Sequence, residues 1–164
     1  MLIDLRQLFD NENERIELNC DFDLSEEVLW GRCPFASPVH VVGEIANRTG
    51  IVTLSYTATY TLGADCDRCL EHFERQETHS FTHVLVLSLS GDDNDEFVVL
   101  EDATLNLTEL VTSDLVLTIP VKLLCSEDCK GLCQTCGANR NHTACSCKTR
   151  EIDPRLAALE QLLD

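Results

Sequence analysis

The length, composition and charge of this chain limit the kinds of protein it can be. Its 164 residues are enough for one domain with a real core, and 44% hydrophobic residues favour a folded chain over a disordered one. The formal net charge of −17 argues against a protein that binds the phosphates of nucleic acid, because such binding needs clustered Lys and Arg. The same negative charge suits a basic protein partner.

The expected location is the cytoplasm. Residues 1–6 lack the basic start and long apolar run of a signal peptide, and no stretch approaches the roughly 20 apolar residues of a membrane helix. We therefore expect no membrane contact. The ten cysteines should then be reduced, and clustered reduced thiols indicate metal or redox chemistry rather than a disulfide framework.

The first half of the chain predicts antiparallel strands. Residues 2–9 form a short apolar element, and alternation from Ile16 to Cys20 predicts a strand. Residues 39–46 and 51–62 predict the two strands of a β-hairpin around the turn signal at residues 47–50. Breaker residues then predict that the second hairpin strand ends before Gly63.

The second half predicts further strands and two helices. A strand is expected over residues 73–89, an acidic loop over 91–96 and a short strand over 97–100. The spacing of apolar residues from Leu107 to Thr118 predicts a helix, which Asn106 or Thr104 caps and Pro120 stops. Asp153 and Pro154 are a strong start signal for a terminal helix.

These elements predict an α+β fold: a β-rich antiparallel domain over residues 1–124, with a few helices, and a zinc-stapled C-terminal segment over residues 125–164. The stretch 124–150 has few large apolar residues and many Cys, Asn, Gly and Thr. It therefore needs a cross-link, such as a bound metal ion, to stabilise a folded conformation. We expect the two parts to form one integrated unit.

Eight of the ten cysteines lie in clusters that suit metal. They are Cys66 and Cys69, then Cys125, Cys129, Cys133 and Cys136, and finally Cys145 and Cys147. Eight thiols divide into two tetrahedral four-sulfur sites, the geometry that structural zinc prefers. Two structural zinc ions are therefore the expected cofactors. Cys20 and Cys33 stand apart and are expected to be small buried hydrophobes.

Two partitions of the eight cysteines are the main candidates, and an interleaved arrangement is open as well. In the first, Cys133, Cys136, Cys145 and Cys147 close one site locally, helped by Gly137, and Cys66 and Cys69 share the other with Cys125 and Cys129. In the second, the two C-x-x-C turns share one ion, as in a zinc ribbon.

The thiols have competing interpretations. They could bind iron or an iron–sulfur cluster, or one C-x-x-C pair could be redox-active. Catalytic zinc is disfavoured because eight cysteines leave no evident open position. None of the five histidines has metal-ligand spacing, although His142 lies inside the last cluster. The sequence contains no recognisable catalytic motif. The acidic run from Asp92 to Glu96 is expected to be a solvated loop.

Four motifs resemble the YceD family, also called the large-ribosomal-RNA-subunit accumulation protein family and long described as a domain of unknown function. They are Met1-Leu2-Ile3-Asp4-Leu5, Cys66-Asp67-Arg68-Cys69-Leu70, the run from Cys125 to Asn139, and Ile152-Asp153-Pro154-Arg155-Leu156-Ala157-Ala158-Leu159. The resemblance spans essentially the whole chain. It departs at Gln134, where relatives often have Pro, and at Arg140, where they often have Leu; neither is a proposed ligand.

The resemblance implies a role in large ribosomal subunit assembly without enzymatic activity or a small-molecule substrate. Combined with the charge, it leads to the hypothesis of a zinc-binding factor that binds a basic ribosomal protein or the pre-ribosomal large subunit. One alternative is direct binding of ribosomal RNA through the basic residues near the cysteines: Arg68, Lys130, Arg140, Lys148 and Arg150. A second alternative is an enzyme, either a nuclease or a thiol oxidoreductase.

Overall fold

The computed structural model describes residues 1–88 and 97–147. Two compact units are present among these residues: the first comprises residues 1–64 and the described part of 73–121, and the second comprises residues 65–72 and 122–147. The predicted acidic loop and terminal helix lie outside the described residues. The proposed boundary at residue 124 and the integration of the two parts stay predictions.

Seven strands and two α-helices occur in the described part of the chain. They are β1 (Leu2–Asp4), α1 (Arg6–Asp10), β2 (Arg15–Phe22), β3 (Val39–Arg48), β4 (Ile51–Asp65), β5 (His72–Val86), β6 (Phe97–Val99), β7 (Thr104–Asn106) and α2 (Leu107–Thr118). No helix among these residues is long and apolar enough to cross a membrane. The predicted β-rich α+β fold with a few helices is confirmed.

The central sheet has the strand order β2-β3-β4-β5-β6. Strands β2, β3 and β4 pair antiparallel, whereas β6 runs parallel to β5, with Phe97 opposite Val84. A second, two-stranded sheet pairs β1 with β7, placing Ile3 opposite Leu105. The predicted apolar element at residues 2–9 is therefore a strand followed by a helical turn.

The hairpin of β3 and β4 forms where the turn signal predicts it. Thr49 and Gly50 both have positive φ, 53° and 82°, which is the twist that two-residue hairpin turns favour. The side chain of buried Asn47 fixes the turn: its amide donates to the Leu8 carbonyl at 2.8 Å, and its oxygen accepts from the Gly50 N–H at 3.1 Å.

The predicted break at Gly63 is wrong, because β4 continues to Asp65. The Gly63 N–H donates to the carbonyl oxygen of Pro34 at 2.9 Å, and Phe35 forms a β-bridge with Leu62. A backbone partner from a distant segment thus extends the strand through a residue that by itself favours a break.

Alternation in β4 separates an apolar face from a polar face. The even-numbered residues from Val52 to Leu62 are buried, and the odd-numbered Thr and Ser residues between them are half-buried. Helix α2 has the predicted bounds and buries Leu107, Val111 and Leu115. Asn106 occupies the position before the helix, but its side-chain amide donates to Glu109 rather than capping the backbone.

Both tyrosines of the chain are expected to resist ionisation. Burial raises the pKa of Tyr56 and of Tyr60, and the Asp114 carboxylate that accepts the Tyr56 hydroxyl raises the pKa of Tyr56 further. In the unfolded chain each ionises near its ordinary pKa of about 10. Since folding disfavours the ionised form, their contribution to stability is present below about pH 10 and is lost as the pH rises.

An alkaline titration checks this expectation. Tyrosinate absorbance should appear only together with loss of the far-ultraviolet circular dichroism of the folded sheet. Full tyrosinate absorbance near pH 10 with an intact fold would contradict it.

Candidate metal centre

The first two candidate ligands lie in a tight turn between β4 and β5. The Leu70 N–H donates to the Cys66 carbonyl at 2.9 Å, and the Cys66 N–H donates to the Glu71 carbonyl at 2.9 Å. Leu70 adopts a positive φ of 60°, which lets the chain reverse within this turn. The Cys66 and Cys69 side chains therefore lie on one side of the turn.

Four sulfur atoms meet at what we call cluster 1, formed by Cys66, Cys69, Cys125 and Cys129. All four Sγ atoms lie within 4.8 Å of one another, with 3.7 Å between Cys66 and Cys129 and 3.7 Å between Cys69 and Cys125. A zinc tetrahedron with Zn–S bonds of about 2.3 Å has S···S edges of roughly 3.8 Å. The sulfurs are therefore spaced as zinc ligands, and they are not joined as disulfides.

Cluster 2 consists of Cys133, Cys136, Cys145 and Cys147, whose Sγ atoms also lie within 4.8 Å of one another. The Gly137 N–H donates to the Cys133 carbonyl at 2.9 Å, and the Cys133 N–H donates to the Ala138 carbonyl at 2.8 Å. Gly137 has a φ of 73°, which a glycine adopts without steric cost. The second C-x-x-C turn therefore has the same pattern of backbone hydrogen bonds as the first.

The structure thus groups the eight thiols as in the first of the two partitions, and the zinc-ribbon grouping is not the one found. That these cysteines bind metal stays a prediction. Cys20 is half-buried on β2, and burial raises the pKa of its thiol. Cys33 is exposed, so the expectation of a buried hydrophobe is wrong there, because the surrounding loop leaves it at the surface.

Backbone bonds join the two segments that carry cluster 1. The Asp67 N–H donates to the Leu123 carbonyl at 2.8 Å, and the Asp67 carboxylate accepts from the Leu123 N–H at 2.8 Å. The Leu132 N–H donates to the Arg68 carbonyl at 3.0 Å. Residues 65–72 and 122–132 are therefore held together by hydrogen bonds as well as by the four sulfurs.

Residues 54–163, more than half of the chain, match the profile described as large ribosomal RNA subunit accumulation protein YceD. The chain belongs to the YceD family. The matched residues include all eight thiols of the two clusters.

Several curated proteins resemble this YceD-family chain. It is 30% identical over 153 residues to the uncharacterized protein YlbN of Bacillus subtilis, which covers 92% of this chain and 86% of that protein. It is 28% identical over 122 residues to an uncharacterized Mycobacterium tuberculosis protein, of which it spans 56%.

A chloroplast protein is among the relatives as well. Over 52 residues, this chain is 38% identical to the maize large ribosomal RNA subunit accumulation protein YCED homolog 1, chloroplastic, which covers 31% of this chain and 18% of that protein. No solved structure matches the chain at a significant level.

Backbone amides favour thiolates at one position of each cluster in this YceD-family chain. Burial raises the pKa of Cys66, but N–H groups of Cys125, Arg68 and Cys69 outweigh it and bring the value to about 6. The N–H groups of Cys136 and Thr135 likewise bring the pKa of Cys133 to about 6. Such N–H···S bonds are the outer-shell contacts that four-sulfur metal sites need.

Burial and neighbouring thiols disfavour the thiolate form of Cys69 and Cys147 when no cation is near. At Cys69 the Glu71 N–H lowers the pKa, but burial and the neighbouring thiols raise it to about 12. The Cys136 thiol is the largest cause that raises the pKa of Cys147 to about 12. Because a divalent ion supplies the missing positive charge, metal binding is expected to release protons from these groups.

Asn141 contacts a candidate ligand and was not predicted from the sequence. The side-chain amide of Asn141 donates to the Cys129 sulfur at 3.2 Å and is the largest cause that lowers the pKa of Cys129, while its oxygen accepts from the Lys130 N–H at 2.7 Å. The only signal for it in the sequence is an amide side chain inside a cysteine-rich loop.

His142 drew attention because it lies inside the last cysteine cluster of the sequence. Among the residues that the structure describes, its ring nitrogen bonds a carboxylate and no cysteine sulfur. Its Nε2 lies 2.9 Å and 3.0 Å from the two carboxylate oxygens of Glu71, so it ties the last loop to the first C-x-x-C turn. The guanidinium of Arg68 is also used internally, donating to the carbonyls of Glu127 and Cys129 at 3.1 Å and 3.0 Å. Lys148 and Arg150 lie outside the described residues.

The donor set and its geometry fit two structural zinc ions. Each cluster offers four soft thiolate ligands, which fills the tetrahedral coordination of zinc and leaves no position for water or substrate. A zinc ion bound there would supply cross-linking of the polypeptide rather than reaction chemistry. Iron accepts the same ligands, so ligand type alone does not select the metal.

Proposed function

We propose that this YceD-family member is a non-enzymatic, zinc-binding factor in the assembly of the large ribosomal subunit, which acts in the cytoplasm by binding a basic ribosomal protein. The family description supports the ribosomal setting. The observation that carries the zinc part is the pair of four-sulfur clusters, with 3.7 Å sulfur separations in cluster 1.

The net charge supports a basic protein as the partner. The chain carries −17, and four thiolates around each divalent zinc add about −2 per site, which gives about −21. Such a field attracts Lys- and Arg-rich proteins and repels phosphates. Ribosomal proteins before incorporation into RNA are partners of the required charge.

The polar face of the central sheet carries carboxylates that suit a basic partner, each of them now beside Arg15, Arg48 or His40. Glu17 on β2 lies directly opposite Glu44 on β3, and Asp21 extends the carboxylate row on β2. Like charges in directly opposed positions destabilise a sheet. Arg15 and Arg48 lie 3.3 Å and 3.0 Å from these two glutamates, and both arginines are largely exposed. A cationic partner is expected to compete with them.

A salt-dependent pull-down tests the proposal. The purified zinc-loaded chain should retain one or a few purified large-subunit ribosomal proteins at low salt and release them at high salt. The variant E17K/E44K should retain less than E26K/E27K, which changes the net charge equally at exposed loop positions. Retention of no ribosomal protein at any salt concentration would contradict the proposal. Nuclease and insulin-reduction assays are expected to show no turnover.

Direct binding of ribosomal RNA is the second candidate, because exposed Lys130 and Arg140 flank the clusters in the second unit. It predicts a salt-sensitive gel shift that K130E/R140E abolishes. Arg68 is unsuitable for this test, since its guanidinium holds two carbonyls and its loss would disturb cluster 1. A gel shift that survives K130E/R140E would count against RNA binding through these residues.

A further inference from the structure

The two clusters differ in how far they are removed from solvent. In cluster 1, Cys66, Cys69 and Cys129 are only 0%, 3% and 4% exposed. In cluster 2, Cys136 and Cys147 are exposed, and the other two cysteines are half-buried. A reagent in solution therefore has access to sulfur atoms of cluster 2 that it lacks at most of cluster 1.

The surrounding contacts add to this difference. The Asn141 amide and the Arg68 N–H lie against sulfur atoms of cluster 1 at 3.2 Å and 3.5 Å, and the Arg68 side chain spans its loop. Cluster 2 is closed by ligands from residues 133–147 alone. Opening it requires only that this short loop move.

We propose that Cys136 and Cys147 are a modification site for low-molecular-weight disulfides, through which cluster 2 loses its metal while cluster 1 keeps its own. This inference rests on the proposed zinc binding. Thiolate attack on a disulfide depends on access to the attacking sulfur as well as on its ionisation. Zinc holds its cysteine ligands as thiolates, so access decides which of the eight reacts.

The chemistry is a balanced two-electron exchange. The Cys147 thiolate attacks one sulfur of glutathione disulfide, forming a mixed disulfide and expelling one glutathione thiolate. The Cys136 thiolate then attacks the Cys147 sulfur, forming a protein disulfide and expelling the second glutathione thiolate. Two cysteines are oxidised and one glutathione disulfide is reduced. Zinc leaves, because only two thiolates remain to hold it.

The distances allow the second step. The sulfurs of cluster 2 lie within 4.8 Å of one another, and a disulfide bond requires about 2.05 Å. A shift of a few ångströms in the loop closes this gap as the second bond forms.

The test uses the full chain with C20S/C33S, since Cys33 is an exposed thiol outside both clusters. Native mass spectrometry first counts zinc per chain. The protein is then incubated with glutathione disulfide without oxygen, zinc release is followed with a chromophoric indicator, and modified cysteines are mapped by peptide mass spectrometry.

We expect one zinc equivalent to leave at least about tenfold faster than the other, together with a disulfide between Cys136 and Cys147. Cys66, Cys69, Cys125 and Cys129 should stay reduced during that phase. Release of both ions at one rate, or first oxidation within cluster 1, would overturn this inference while leaving zinc binding intact. A chain that carries no zinc at the start would overturn both proposals.

Discussion

Removal of the two proposed zinc ions with a chelator is expected to make residues 122–147 accessible to protease while the β2–β5 sheet of the first unit stays protected. The described stretch 122–147 contains no helix or strand, and Leu123 is its one large hydrophobic residue that is fully buried. Fixing the backbone of one residue costs about 1–2 kcal/mol of conformational entropy. The free energy gained by burying so little apolar surface is far smaller than the sum of this cost over the stretch. Structural zinc supplies about 10–16 kcal/mol in comparable peptides, so loss of the metal is expected to unfold this stretch.

Limited proteolysis with and without chelator measures this effect, with cleavage sites mapped by mass spectrometry. The variant C66S should lower zinc from two ions to one per chain and expose residues 122–132 without chelator. The variant C33S is the matched control and should keep both ions, because Cys33 lies outside both clusters. Equal protection of residues 122–147 in both conditions would show that metal does not hold this segment.

Replacing Gly131 with Ala is expected to weaken zinc binding at cluster 1 by more than tenfold. Gly131 has a φ of 68°, and an added Cβ would lie 2.9 Å from the Arg68 carbonyl oxygen and 3.3 Å from the Arg68 Cβ. That carbonyl accepts the Leu132 N–H that helps to hold the two ligand-bearing segments together. The positive φ alone costs about 1–2 kcal/mol for a non-glycine residue, and the backbone clash adds to it.

The matched control is G137A. Gly137 has a similar φ of 73°, but an added Cβ there would meet nothing within 4 Å. This variant should therefore show the cost of the left-handed conformation alone, about tenfold in zinc affinity at cluster 2. Competition with a chelator of known affinity measures both. Equal losses in the two variants would show that close packing of Gly131 against Arg68 contributes nothing to cluster 1.

The elements that depend on local chemistry were predictable. The hairpin follows from a turn signal whose residues adopt positive φ, and the bounds of α2 follow from apolar spacing and Pro120. Cysteine spacing predicted which thiols cluster, because a C-x-x-C turn places two sulfurs together whatever surrounds it. In each case the controlling residues are neighbours in the chain.

Contacts between distant segments were not predictable in the same way. The extension of β4 past Gly63 depends on Pro34, the β1–β7 sheet joins residues about a hundred positions apart, and Asn141 reaches Cys129 across a loop. Local propensity carries no information about such partners.

The sequence by itself determined the fold class, the hairpin, the central helix and the eight clustered thiols. Only the tertiary structure decided which four sulfurs meet, because Cys66 reaches Cys129 through hydrogen bonds between segments some sixty residues apart. It also decided the unequal burial of the two clusters. That inequality arises from packing around cluster 1, which spacing along the chain does not encode.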